Sequence, residues 1–196
     1  MAFWTATPSD AAGSAIGQPK RKFRFRVQIT GLSGNSQIWW AKTVTKPSFQ
    51  VAAAEHKYLN HTFYYPGSVT WQDVTLTLVD PGDTSEAGDQ TMALSRFLEK
   101  GGYTIPAGAN KWQSLTKAKM VGAIQKVLIE QLNADGNAIE SWTLNNAFIT
   151  DAKFGDLEYG SDELTELSVT LKYDWASCTT KNPDKEGKTR VFQINS

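Results

Sequence analysis

Few side chains in this sequence are equipped for chemistry. His56 and His61 are the two histidines, and Cys178 is the only cysteine. Both histidines lie in one aromatic, β-prone segment whose only acid is Glu55. A metal site there would need a further ligand, and a spacing of five residues suits neither one helix face nor one strand face. A surface or interface role fits the pair better. A nucleophilic Cys178 would need one of those imidazoles delivered by the fold; it reads instead as a small hydrophobe just after a strand. A lone cysteine also excludes an intrachain disulfide and a cysteine-rich metal centre, and it suits a reducing compartment.

Other polar clusters have plainer readings. Asn133, Asp135 and Asn137 alternate like the opening of a calcium loop, but the glycine is misplaced and no glutamate completes the loop. A hairpin turn at Asp135-Gly136, of the type with two positive-φ residues, accounts for them. Asp151, Asp156, Glu158, Asp162 and Glu163 form an acidic stretch, a solvated loop or the mate of a basic surface. In the basic run from Lys20 to Arg26, Arg24 and Arg26 are the outer face of an amphipathic strand. No Gly-x-Ser-x-Gly elbow, phosphate loop or dinucleotide fingerprint occurs. The expectation is a protein that is not an enzyme and takes no cofactor or metal.

The elements that carry these residues are mostly strands. Phe23, Phe25, Val27 and Ile29 alternate with Lys22, Arg24, Arg26 and Gln28, which predicts a strand with one buried face. After turn residues 31–35, a strand over 37–45 predicts a hairpin. Residues 49–51 and 58–65 predict short strands, the second ended by Pro66-Gly67. Val74, Leu76 and Leu78 alternate with Asp73, Thr75 and Thr77, while Trp71 is out of phase and marks a bulge. One helix is predicted over 86–100, capped by Thr84 or Ser85 and stopped by Gly101-Gly102, with Leu94, Phe97 and Leu98 as its buried stripe. Residues 103–118 read as a loop. Strands are predicted over 123–132 and 138–150, the latter with Trp142, Leu144 and Phe148 on one face. The clearest alternation puts Leu167, Val169, Leu171, Tyr173 and Trp175 on one face of a strand over 165–175.

Composition bounds the rest. The chain has 196 residues, with 20 Lys+Arg against 20 Asp+Glu, so its formal net charge is 0. That length suits one domain with tails: an arm over 1–21, a β domain over 22–178 and a tail over 179–196. A charge balance of zero argues against an electrostatically driven nucleic-acid binder and does not discourage self-association. Seven tryptophans favour a sheet or an interface over a helix bundle. No signal peptide or membrane anchor is expected. The fold class is mainly β, an antiparallel sandwich or barrel with one flanking α-helix and an extended hairpin. Strands this long leave edges that must be covered, charged or paired with another subunit.

Two stretches, in order, resemble a known family. One is Lys46-Pro47-Ser48-Phe49-Gln50-Val51, continuing through Tyr58-Leu59-Asn60 and Pro66-Gly67 into Thr70-Trp71-Gln72-Asp73-Val74-Thr75-Leu76-Thr77-Leu78. The other runs from Trp142-Thr143-Leu144 through Gly155-Asp156-Leu157-Glu158-Tyr159 to Leu167-Ser168-Val169-Thr170-Leu171-Lys172-Tyr173-Asp174-Trp175. Together, over about residues 22–176, they resemble the tail tube proteins of contractile-tailed, myovirus-type bacteriophages, whose fold is similar to that of type VI secretion tube proteins.

The resemblance implies a structural virion protein. It implies hexameric rings stacked into a hollow tube, in the virion tail and assembled in the host cytoplasm. Its partners would be copies of itself, a tail sheath protein, and baseplate and tail terminator proteins. Phage DNA would pass through the lumen without specific binding. A baseplate-proximal tube protein, or the tube of a secretion or bacteriocin particle, is the nearest alternative; a monomeric carbohydrate-binding module is the next. The expected subunit interface is a projecting hairpin over 48–66 with Phe49, Val51, Tyr58, Leu59, Phe63, Tyr64 and Tyr65, joined by Phe3 and Trp4 of the N-terminal arm.

Overall fold

A computed structural model of the chain describes residues 20–31, 37–38, 41–81, 90–105, 114–181 and 188–191. In chain order the elements are β1 (Phe25–Thr30), β2 (Gln37–Ile38), β3 (Ala41–Val44), β4 (Ser48–Tyr58), β5 (His61–Gln72) and β6 (Val74–Val79). Then come α1 (Gln90–Lys100), α2 (Lys117–Ala123), β7 (Lys126–Leu132), β8 (Ala138–Asn145), β9 (Phe148–Lys153), β10 (Glu166–Lys172), β11 (Trp175–Lys181) and β12 (Lys188–Val191). Every described strand pairing is antiparallel.

A six-stranded sheet, β12-β11-β8-β7-β1-β2, packs on a four-stranded sheet, β3-β6-β10-β9. The period-2 patterns explain why. Val27, Ile29, Val127, Ile129 and Leu144 point inward from the first sheet; Val74, Leu76, Leu78, Leu167, Val169 and Leu171 answer from the second. These side chains form one core, which α1 joins through Leu94 and Phe97. The mainly β class with a flanking helix and an extended hairpin is what the sequence predicts.

Several sequence-predicted strands are two strands. The chain leaves one sheet and enters the other at a break that alternation does not reveal. β1 pairs with β2, but β3 pairs with β6 in the opposite sheet, so the predicted hairpin of 22–30 with 37–45 holds only through Ile38. Residues 138–150 break at Asn146, which takes φ 55 and passes the chain from β8 to β9. Asparagine tolerates that conformation better than most residues. Leu144 is buried, but Trp142 and Phe148 are only partly so. Likewise β10 ends at Lys172 and β11 begins at Trp175 in the other sheet. β11 continues to Lys181, and β12, inside the segment 179–196, pairs with it.

The helical part also departs from expectation. α1 is described from Gln90, so the proposed caps Thr84 and Ser85 lie outside the described residues. Its end is as predicted: Gly102 takes φ 97, its N–H donates to Glu99 O (3.0 Å), and Tyr103 N–H donates to Leu98 O (3.0 Å). Leu94 and Phe97 are buried, but Leu98 is 45% exposed. The region read as a loop over 103–118 ends in a second helix. Thr116 caps α2, and Met120 and Ala123 are its buried residues. A methyl on Gly101 would sit 2.3 Å from Met120 Sδ, so that glycine lets the helices approach. The turn between β7 and β8 also differs in type. Only Gly136 has positive φ (76), and Asn133 Oδ1 accepts from the N–H groups of Asp135 (3.0 Å) and Asn137 (2.8 Å).

Candidate assembly arm

β4 and β5 form a two-stranded sheet of their own. Every residue of β4 is exposed, and so is all of β5 except Thr62 and Trp71, which are partly buried. At ~3.3 Å per residue, 11 residues of β4 span about 36 Å. The interface candidates Phe49, Val51, Tyr58, Leu59, Phe63, Tyr64 and Tyr65 all lie on this arm and are exposed, from 43% for Val51 to 88% for Leu59. Phe3 and Trp4 lie outside the described residues.

The hairpin's strands are longer than those read from sequence, and its turn falls inside the stretch 58–65 read as one strand. Tyr58 faces His61, so the loop is Leu59-Asn60; Pro66-Gly67 sits within β5. Leu59 takes φ 52 at the tip, where it is 88% exposed. A branched apolar side chain rarely adopts that conformation.

Pairing assigns the faces. Near the base, Phe49 faces Trp71 and Val51 faces Val69. Beyond that, Ala53 faces Pro66, so β5 carries one extra residue, with Gly67 and Ser68 opposite Ala52. A methyl on Gly67 would press on Ala52 O at 3.1 Å, which explains a small residue there. Past the bulge, Tyr65, Phe63 and His61 share a face with Ala54, His56 and Tyr58; Glu55 and Lys57 share the other with Tyr64 and Thr62. Counting along β4, the base cluster and the aromatic tip fall on opposite faces.

The base cluster is anchored to the body. Phe49 meets Trp71 edge-on at 5.5 Å between ring centroids, and Trp71 meets the buried Tyr173 at 5.9 Å. The tip has no such anchor. Both histidines share its aromatic face, and His61 meets Phe63 at 4.6 Å. Their spacing of five fits no single strand, but a two-residue hairpin loop brings them to one side. Among the described residues no three His, Cys, Asp or Glu gather as metal ligands.

Two members of the basic run near the N-terminus, Lys20 and Arg26, form ion pairs. Lys20 and Lys46 (2.6 Å) bind the buried Glu140, which also accepts from Trp142 Nε1 (2.6 Å). Arg26 donates from Nε (2.7 Å) and a terminal nitrogen (2.5 Å) to the buried Glu130. Cys178 is partly buried beside this cluster, and burial, with the Glu140 charge, raises its thiol pKa. That holds it as a thiol rather than a nucleophile.

No protein-family model and no curated protein matches the chain. Solved structures do. A chain of the anti-feeding prophage (AFP) baseplate, a 6-fold symmetrised cryo-EM structure, is similar at TM-score 0.59 and 17% identity, covering 83% of this chain and 96% of that one. A chain of the anti-feeding prophage tube-terminating cap is similar at TM-score 0.59 and 18% identity, over 89% and 100% of the two chains. One from the sheath-tube complex of an extracellular contractile injection system, PVC in its extended state, is similar at TM-score 0.56 and 18% identity, over 90% and 100%. The fold of this chain is therefore one found in chains of contractile injection particles.

Proposed function

We propose that the chain is a structural subunit of the tube in a contractile particle, acting by assembly rather than catalysis. The observation that carries this is the arm: an exposed ribbon with an aromatic tip, packed on the body at its base. A ribbon this long and apolar is an aggregation hazard unless a partner covers it. The structural likeness supports the choice of partner, because that fold occurs in a baseplate, a tube cap and a sheath-tube complex. In this reading, copies join head to tail into hexameric rings that stack into a hollow tube. Sheath, baseplate and terminator proteins bind the tube outside and at its ends, and phage DNA passes through without specific contacts in a virion tail.

A second reading keeps the tube and changes the particle. The similar structures come from an anti-feeding prophage and an extracellular injection system, which favours a tube of that kind.

The test is to replace residues 54–65 with Asn-Gly, closing a shorter hairpin from Ala53 to Pro66. Negative-stain electron microscopy and sedimentation of the full chain should show rings or uniform hollow tubes. The shortened variant should remain folded by circular dichroism and form no tubes. Tubes from the shortened variant would remove the arm from the assembly. A parent protein that stays monomeric at high concentration in the presence of preformed tube ends would remove the tube reading.

A further inference from the structure

The four-stranded sheet leaves β9 at one edge, and α1 lies beside it. Between them is an open groove of about 760 Å³, within the roughly 300–1,000 Å³ typical of built binding sites. Its inner surface holds Phe97 and Ile149 from the core; its walls are Leu98, Tyr103, Ile105 and Phe154. The wall residues are exposed, Ile105 to 74%.

We propose that this groove receives the arm tip of a second copy of the chain. The inference rests on the tube reading and goes beyond it by naming the acceptor surface. Three observations select a second copy.

The first is position. The arm rises from the ends of β3 and β6, whereas the groove lies along β9; the sheet order β3-β6-β10-β9 puts donor and acceptor toward opposite edges. At ~4.8 Å per strand those edges are about 14 Å apart. A contact between opposite edges is head-to-tail, and head-to-tail contacts generate rings or filaments. The second is charge. Glu99 and Asp151 stand at the groove, the latter no closer than 3.9 Å to its one described ion-pair partner, Lys153. The tip offers Lys57, which shares its face with the tip's one acid, Glu55. The third is shape. Leu59 is held outward at the tip with φ 52, an apolar knob beyond the aromatic face, and the groove is an apolar recess. Among the described residues β9 is an edge strand, which adds an open strand edge along one wall.

The experiment is disulfide trapping in the full chain carrying Cys178→Ser. Leu59→Cys is combined with Ile105→Cys, and separately with Lys126→Cys, which lies on the outer face of the six-stranded sheet. Under mild oxidation of assembled material, the 59/105 pair should give an intermolecular ladder on non-reducing gels, at least tenfold above the 59/126 pair. A 59/105 yield no higher than the control overturns the proposal. Electron microscopy of the same sample separates the two readings. Tubes without the cross-link sink the groove assignment and leave the tube reading standing; neither tubes nor cross-link sinks both.

A charge swap provides a second check without cysteines. Glu99→Lys should cut the sedimenting fraction about tenfold, and adding Lys57→Glu should restore it. Assembly that ignores Glu99→Lys, or that Lys57→Glu fails to restore, argues against the contact. A cross-link of the tip to a co-purified sheath or baseplate protein in place of the second copy also overturns it.

Discussion

Glu140 ties together three stretches of chain far apart in sequence. Lys20 comes from the approach to β1, Lys46 from the link into the arm, and Trp142 from its own strand. Burial pushes the Glu140 carboxyl up, but the hydrogen bonds from Lys20, Lys46 and Trp142 outweigh it and hold the pKa down at about 2. The folded value lies below the unfolded one near 4.5, so the ionised carboxylate favours the folded state. That stability is fully present above pH 4.5 and is lost as pH falls toward 2. Melts across that window should show a falling Tm, and Glu140→Gln should flatten that part of the slope. At neutral pH the same variant should cost about 1–3 kcal/mol, toward the low end because both lysines can return to water.

Tyr173 shows the opposite case. Its hydroxyl is buried without a hydrogen bond of ordinary geometry. Burial pushes the phenol up to about 12, the Ser48 backbone pulls the other way, and the Asp73 charge adds to the rise. Tyr173→Phe keeps the ring against Trp71 and removes the unpartnered oxygen. Denaturant unfolding should find it neutral or up to about 1 kcal/mol more stable. A loss above that would show the hydroxyl has a partner in solution.

At the scale of elements, Gly31 is a tightly constrained link. It ends β1 with φ 109, and a methyl there would lie 2.5 Å from the backbone oxygen of Ala123, where α2 ends. Gly31→Ala therefore meets both a disfavoured φ and an immovable carbonyl. It should destabilise by about 2 kcal/mol or more by thermal or denaturant unfolding, with the strands on either side losing protection first.

The limits of sequence reading also belong to this scale. The buried faces of β6 and β10 were legible because a strand with one wet face alternates. The break at Asn146 was not, since the change of phase from Leu144 to Ala147 and Ile149 is hidden by three consecutive apolar residues, 147–149. α2 has seven residues, too few for a helical period to stand out, and its capping Thr116 resembles any loop threonine. Leu98 was expected to be buried because it completes a helical stripe, yet it forms a wall of the groove. The arm was legible as an aromatic excess without an evident core partner. Its second strand was ended too early because Pro66-Gly67 is turn chemistry, and the bulge at Gly67 uses that chemistry for another end.

The whole molecule is a sandwich with one core and an outrigger. Since the arm's strands pair only with each other and touch the body mainly through Trp71, the shortened variant should melt within a few degrees of the parent's monomer. Charge is balanced across the chain, and some of it is paired within the body. A chain with this balance has little long-range net repulsion between copies.

The extra residue in β5 sets more than a local kink. Strand alternation has a period of two, so one inserted residue is a half-cycle shift in phase. It lets the ribbon bind inward at its root and present its rings outward at its end, without any change in composition. Unbroken alternation over the same residues of β5 would put His61, Phe63 and Tyr65 on the face of Val69 and Trp71, the root residues paired with Val51 and Phe49. The direction in which this molecule offers its tip is thus encoded by parity, the even or odd count of residues between two anchors.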